Sequence, residues 1–370
     1  MDFSSEDFDF DFLIQSAIKE ALKERGTVNI LIAGATGVGK STLINAIFQG
    51  DMAETGQGRP VTPNTREIKK DGIPLSIFDS RGLEMADFEN TMNELRTLVS
   101  ERSKDIDPKK HIHVAWICIL EDSRRIQDAE QELVKMLANY MPVVAVITKV
   151  RSLRSDRGFR GEVQKLLPLA KNTVRVRALP EEDDDGSIKP AIGLKELVDL
   201  TFELVPEGQK RAFVAAQKVD IALKKQKSHG IVAAAAVSAG GVAAIPIPFS
   251  DAVAIVPIQV GMLAGISATF GLSMDESFLS TLVGSILVGA GGTLAGRAIV
   301  SSLLKLIPGV GSVIGGTIAA TTATAVTIAL GKTYITVLEM LFLQNKGEPP
   351  TSKEVTDTLK LRYLQLSGSR

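Results

Sequence analysis

The sequence has a single cysteine, Cys118, in 370 residues. One thiol excludes an internal disulfide and fits a reducing compartment. Cys118 lies inside an apolar run and reads as core. Only three histidines occur, His111, His113 and His229, none with the spacing of a Cys/His metal site. The net charge of −1 lacks the basic field of a nucleic-acid binder, so no nucleic acid is expected as partner. A secretory signal is absent: the N-terminus is acidic, not basic-then-apolar, and a cytoplasmic protein is expected. Charge is also missing locally. Residues 230–250, 252–274 and 277–296 carry none, and neither does the stretch between Lys305 and Lys332.

What is present is equally definite. Gly34-Ala35-Thr36-Gly37-Val38-Gly39-Lys40-Ser41 matches G-x-x-x-x-G-K-[ST], a phosphate-binding loop. The apolar run 28–33 before it reads as a buried strand, and 40–48 after it as a helix. Glycines let successive N–H groups turn toward phosphate oxygens, and the helix N-terminus adds partial positive charge. Lys40 is expected to reach the β/γ-phosphates, and the Ser41 hydroxyl, followed by Thr42, to face Mg²⁺ and the nucleotide. A second motif, Asp79-Ser80-Arg81-Gly82, ends the apolar run 73–78. Asp79 is expected to hold Mg²⁺ by way of water, and the Gly82 N–H to sense the γ-phosphate. Between the two lies the polar loop 58–66, whose Thr62, or alternatively Thr65, would complete the Mg²⁺ shell. A third motif, Thr148-Lys149-Val150-Arg151, follows the apolar run 142–147.

Strand and helix alternate over 27–205, which predicts an α/β domain with a mainly parallel six-stranded sheet. Strands are expected at 27–33, 66–70, 73–79, 112–120, 142–148 and 173–178. Helices are expected at 40–48, 84–103, 124–139, 159–170 and 193–204. The domain limits read as 1–26, an acidic tail and amphipathic helix; 27–205, the α/β domain; and 206–370, an all-α domain beginning after Pro206. The basic stretch 151–177 reads as a solvated surface. A basic helix is expected over 208–228, then helices near 230–245, 251–270, 275–306, 311–343 and 352–364, the last capped by Thr351 or Ser352. Small residues recur four apart at Gly261/Gly265, Gly292/Gly296 and Gly311/Gly315, a spacing that lets helices approach closely.

With its three motifs in this order, the chain resembles the Era-like GTPases of the translation-factor-related class. More narrowly, it is similar to a branch that joins such a GTPase to an apolar, glycine-rich helical domain of unknown function. Residues 116–119, 123–127 with Glu130, 193–197 and 245–251 carry that narrower likeness. A looser likeness is to the immunity-related GTPases. The resemblance implies a GTPase binding GTP or GDP with Mg²⁺. It implies nucleotide contacts from Gly34 to Thr42 and from Asp79, Thr148, Lys149 and Ala178; metal contacts from Ser41, Thr62 and Asp79; and catalytic roles for Lys40, Thr62 and Gly82.

The sequence departs from that pattern twice. The base-reading motif [NT]-K-x-D ends here in Arg151, a donor that cannot accept from guanine; Asp156 lies near in sequence. The water-orienting glutamine after the D-x-x-G glycine is Leu83, so hydrolysis is expected to be slow unless a partner, a second protomer or a nearby group such as Arg66, Arg81 or Glu84 assists. The uncharged runs and the Lys224-Lys225-Lys227 cluster point to a membrane lipid surface as partner. A second copy pairing through the GTPase domain is a further expected partner. Three readings stay open at this point: a nucleotide-controlled membrane protein, a nucleotide-gated scaffold with little hydrolysis, and a nucleotide hydrolase of relaxed base specificity.

Overall fold

In the computed structural model, residues 10–55, 57–80, 88–151, 157–243, 251–273, 278, 279, 282 and 320–368 are described. The chain forms two compact units, one made of 26–220 and the other of the N-terminal 25 residues together with 221–370.

The first unit is built on a seven-stranded sheet in the order β2-β3-β4-β1-β5-β6-β7. Its strands are β1 (Val28–Ala33), β2 (Gln57–Thr62), β3 (Thr65–Lys69), β4 (Leu75–Ser80), β5 (Val114–Leu120), β6 (Val143–Thr148) and β7 (Asn172–Arg175). The five strands from β4 to β7 in that order run parallel, and β3 pairs antiparallel with β4. Among them β1, β5 and β6 are buried on both faces, as their apolar runs require. Alternate residues divide between two cores. Ile30, Ile32, Trp116 and Cys118 face α2 (Lys40–Ile47) and α7 (Leu194–Leu204), whereas Leu31, Ala33, Ala115 and Ile117 face α4 (Phe88–Lys104) and α5 (Asp128–Leu137).

The sheet has one strand more than the six expected. β2 occupies the stretch 58–62 that reads as a loop, and it pairs antiparallel with β3. Pro60 marks the segment as loop-like, but β2 lies at the sheet edge, where a missing N–H is tolerated. Pro206 does not close this unit either. It precedes α8 (Glu207–Ala216), whose Ala212, Phe213 and Ala216 are buried in the first core. There Phe213 meets Phe48 edge-on, and Phe48 stacks on Trp116 at 5.7 Å.

The basic helix expected over 208–228 is two helices, α8 and α9 (Ile221–Ala243). The break has a tertiary cause. Gln217 is extended, its backbone bridges Phe48, Lys218 N donates to Ile47 O at 2.8 Å, and Gln217 Oε1 accepts from Asp220 N at 2.7 Å.

The second unit is helical: α1 (Phe10–Arg25), α9, α10 (Asp251–Phe270), α11 (Ala320–Gln344) and α12 (Ser352–Gly368). α1 is the amphipathic helix expected before Gly26, and it belongs to this unit. Ile14 is fully buried, and Leu13, Ala17, Ile18 and Ala21 pack on the same core as Leu263, Phe270 and Leu338. At Gly331 on α11 an added Cβ would lie 2.5 Å from Val232 of α9 and 3.0 Å from Met262 of α10. At Gly265 it would lie 3.3 Å from Ile231, whereas at Gly261 it would meet nothing. The pairs Gly292/Gly296 and Gly311/Gly315, the region 245–250 and nearly all of 275–306 lie outside the described residues. Thr351 is the cap of α12: its Oγ1 accepts from Glu354 N at 3.2 Å, and Glu354 Oε2 accepts from Thr351 N at 2.7 Å, a reciprocal capping box.

Candidate nucleotide site

The loop 34–39 leaves β1 and enters α2 at the C-terminal edge of the parallel strands, where ligands bind in open α/β sheets. Gly34, Gly37 and Gly39 have φ of 147°, 77° and 97°. A Cβ at Gly34 would stand 2.4 Å from Cys118 O, so only glycine lets the loop pass β5. Gly39, in the left-handed region, ends the loop and starts α2. Lys40 Nζ donates to Gly34 O at 2.8 Å and Ala35 O at 3.1 Å, which holds the ammonium over the loop it serves. Ser41 and Thr42 are exposed on the first turn of α2. Cys118, beneath the loop, is fully buried, and burial pushes its thiol up to about 12, so it stays protonated and serves as core.

Asp79 is buried near the end of β4. Arg66 grips its Oδ2 from Nε at 3.1 Å and Nη2 at 3.0 Å, while Oδ1 is buried with no hydrogen-bond partner among the described residues. Thr62 and Thr65 face each other across the β2–β3 turn, and both hydroxyls are likewise buried without a partner among the described residues. Orphaned oxygens of this kind carry a desolvation penalty that a ligand would relieve. A carboxylate and hydroxyl oxygens are the donors a hard cation such as Mg²⁺ takes. The residues present therefore fit that ion, with Asp79, Ser41 and Thr62 or Thr65 as its candidate holders. Arg66, considered for assisting hydrolysis, is instead engaged by Asp79. Arg81, Gly82, Leu83, Glu84 and Asp156 lie outside the described residues.

The third motif ends β6. Thr148 Oγ1 is buried and donates to Val38 O at 2.7 Å, which ties this strand end to the phosphate loop. Lys149 has φ of 54°, and its Cε lies 3.6 Å from where a Cβ of Gly39 would be. Val150 is buried, and Arg151 turns outward to pair with Asp122 at 2.7 Å. A scaffold of buried charge supports this turn, and sequence reasoning missed it. Glu121 is 1% exposed; it accepts from Arg151 N at 2.8 Å and pairs with Arg175. Arg177 is buried and donates to Val150 O at 2.7 Å, Pro190 O at 2.9 Å and Arg151 O at 3.2 Å. The solvated surface expected over 151–177 is thus wrong at Arg175 and Arg177. The signal for it was the acidic pair Glu121-Asp122 at the end of β5. Ala178 is partly buried beside the first core, one residue past Arg177.

The lysine cluster of α9 does not form one basic face. Lys224 is fully buried, donating to Phe270 O at 3.0 Å, with its ammonium 5.7 Å from the Phe342 ring centre. Lys225 pairs with Glu339 at 2.8 Å, and only Lys227 of the three is exposed. Farther along α9, the exposed positions Gly230, Ala233, Ala234, Val237, Ser238 and Gly241 carry no charge. Among the described residues one helical stretch, Ala323–Gln344, is long and apolar enough to cross a membrane, with mean hydropathy 1.5 and 56% of its most apolar window buried.

Comparison with known proteins also gives two parts, but the second begins at 208, within the first compact unit. Residues 29–149 match the family described as 50S ribosome-binding GTPase, and residues 208–362 match a domain of unknown function, DUF697. The tRNA modification GTPase MnmE of Bordetella parapertussis is 30% identical over 178 residues, 46% of this chain and 36% of that protein. Neuronal-specific septin-3 of Rattus norvegicus is 25% identical over 203 residues, 47% of this chain and 56% of its own. Magnetosome membrane protein 22 of Magnetospirillum gryphiswaldense is 35% identical over 91 residues, 25% of this chain and 47% of that one. The chain thus spans between about a third and just over half the length of these relatives.

Proposed function

From a chain that joins an Era-like P-loop GTPase domain to a distinct C-terminal helical domain of unknown function, we propose a Mg²⁺-dependent GTPase whose nucleotide state controls a membrane-associated helical unit. The observation that carries this reading is the Gly34–Ser41 loop, with Lys40 held over it and the orphaned Asp79 Oδ1 at a neighbouring strand end.

The chain's residues have separable tasks. Backbone N–H groups of the loop and the N-terminus of α2 bind the phosphates. Lys40 leaves the Gly34 and Ala35 carbonyls for the β/γ-phosphate oxygens and neutralises charge there. Asp79, Ser41 and Thr62 or Thr65 would hold Mg²⁺, which would neutralise charge on the phosphates. Water attacks the γ-phosphorus, the bond to the β–γ bridging oxygen breaks, and GDP and phosphate leave. With Leu83 where the resembled GTPases carry a glutamine, turnover is slow without help from a partner or a second copy. Thr62 and Thr65 sit at the tip of the β2–β3 hairpin, so a triphosphate that draws them in would reorder that edge.

Membrane association is supported by the uncharged outer face of α9 and by the apolar stretch 323–344. With Lys224 buried and Lys225 paired, contact is apolar more than electrostatic and resists salt. A nucleotide-gated scaffold with little hydrolysis is the second reading. It is favoured by Arg66, whose guanidinium already offsets the Asp79 charge through Oδ2 and so competes with a cation for that carboxylate.

The test combines binding and single-turnover phosphate release on the full chain, with and without anionic liposomes. Wild type is expected to bind GTP and release phosphate faster with liposomes; Lys40→Ala is expected to lose tight triphosphate binding while staying folded. Equal GTP binding by that variant would overturn the nucleotide assignment. Binding without release would favour the scaffold.

A further inference from the structure

We infer that Asp122, held by Arg151, supplies the carboxylate that reads the guanine edge, in place of the aspartate absent from the third motif. The inference rests on the nucleotide reading above and names the specificity-determining group of that site.

The argument is positional and chemical. β5 and β6 run parallel with Leu120 opposite Thr148, so the residues that follow each strand emerge side by side. Lys149 packs against Gly39, and Thr148 bonds to Val38, which sets this corner beside the phosphate loop. Two residues beyond Lys149, Arg151 presents donors only, whereas guanine offers N1–H and N2–H donors and needs an acceptor. The acceptor is in contact: Arg151 Nη2 lies 2.7 Å from Asp122 Oδ2. Both side chains reach solvent, at 66% and 44% exposure, so the carboxylate can meet a ligand.

A bare surface ion pair contributes little and does not need a rigid base. This one has such a base. Buried Glu121 fixes the Arg151 backbone, and buried Arg177 ties the carbonyls of Val150, Arg151 and Pro190. Buried charges are costly to desolvate, and here they are spent on holding one exposed turn. Arg151 is a positioning residue in this scheme: it turns the Asp122 carboxylate and leaves one oxygen for the base.

The test is equilibrium binding of GTP, xanthosine triphosphate and ATP to the full-length chain. A carboxylate accepts from both guanine donors. An asparagine side chain instead donates to the carbonyl that xanthine carries in place of the amino group. Wild type should prefer GTP over xanthosine triphosphate by roughly 10–100-fold, the range for hydrogen bonds to a charged group. Asp122→Asn, which keeps the shape of the side chain, should lower or reverse that ratio by about tenfold or more. Arg151→Ala should reduce guanine preference while pyrophosphate competes as before, and Arg151→Lys should recover part of it. A GTP to xanthosine triphosphate ratio unchanged in Asp122→Asn, with GTP still bound, overturns the assignment and leaves an ordinary surface ion pair. Failure of wild type to bind any triphosphate overturns the nucleotide reading as well, so the two failures are told apart.

Discussion

At the scale of single residues, the turn after β6 hangs on one buried guanidinium, that of Arg177, which holds three backbone carbonyls. Gly34, Gly37, Gly39 and Lys40 follow a spacing whose physics is local: turn, helix start, ammonium. Arg177 follows no local rule. In a run of eight basic residues it looks like solvated surface, and only the tertiary fold brings its guanidinium under the Val150, Arg151 and Pro190 carbonyls. Arg177→Met should therefore orphan buried carbonyls, at a cost of about 1–3 kcal/mol. Urea denaturation would read that loss, and faster nucleotide release would read the loosened turn. Lys224 gives a prediction with a sign. Its amine lies in the helical core, and burial, with Arg25 nearby, sets its pKa well below 10.5 in the folded chain. The unfolded chain then binds more protons across the window below 10.5, so this group's contribution to stability rises with pH there. Relative to Lys224→Met, the wild type should gain stability as pH is raised from neutral toward 10.5. Urea midpoints of the two proteins that keep a constant gap would contradict this.

At the scale of elements, apolar runs announced β1, β5 and β6 because such strands are covered on both faces. β2 escaped because Pro60 reads as a breaker, and its place at an edge is a property of the sheet, not of the segment. The interruption between α8 and α9 escaped for a similar reason: residues 217–220 are pulled out of helix by partners in 47–49 and by the Gln217 side chain. Helix packing was only partly legible. The recurring small residues include Gly265, but among the described helices a closer approach is at Gly331, which stands outside the four-residue spacings. Gly331→Ala should force Val232 and Met262 aside and lower stability by about 1–3 kcal/mol, as overpacked cores do. Thermal unfolding should show the drop, and Gly261→Ala, where a Cβ meets open space, should not. Ile14→Ala on α1 removes a fully buried side chain from the helical core, and a loss of about 2–5 kcal/mol is expected in the same measurement.

At the scale of the whole molecule, the sequence order and the compact units do not coincide. The sheet unit occupies 26–220 without interruption, while the helical unit takes its first helix from one side of it and the rest from the other. Two unfolding transitions are expected in calorimetry. A GTP analogue at about 100 times its dissociation constant should raise the sheet unit's transition by about 2.7 kcal/mol and leave the other in place. Coincident transitions that shift together would mean the units unfold as one. Flotation with liposomes at low and high salt tests the other half of the proposed function; attachment that survives salt is expected, given that Lys224 and Lys225 are committed inside the protein. The placement of α1 also bears on biosynthesis. On the ribosome α1 is made well before α10, which helps form its hydrophobic seat and is translated more than 200 residues later. At roughly 5–20 residues per second its apolar stripe has no native seat for tens of seconds. The sheet unit, contiguous in sequence, can close during that interval, so the nascent chain carries a finished sheet unit and an uncovered apolar helix, a state in which a chaperone or a membrane surface would find a handle.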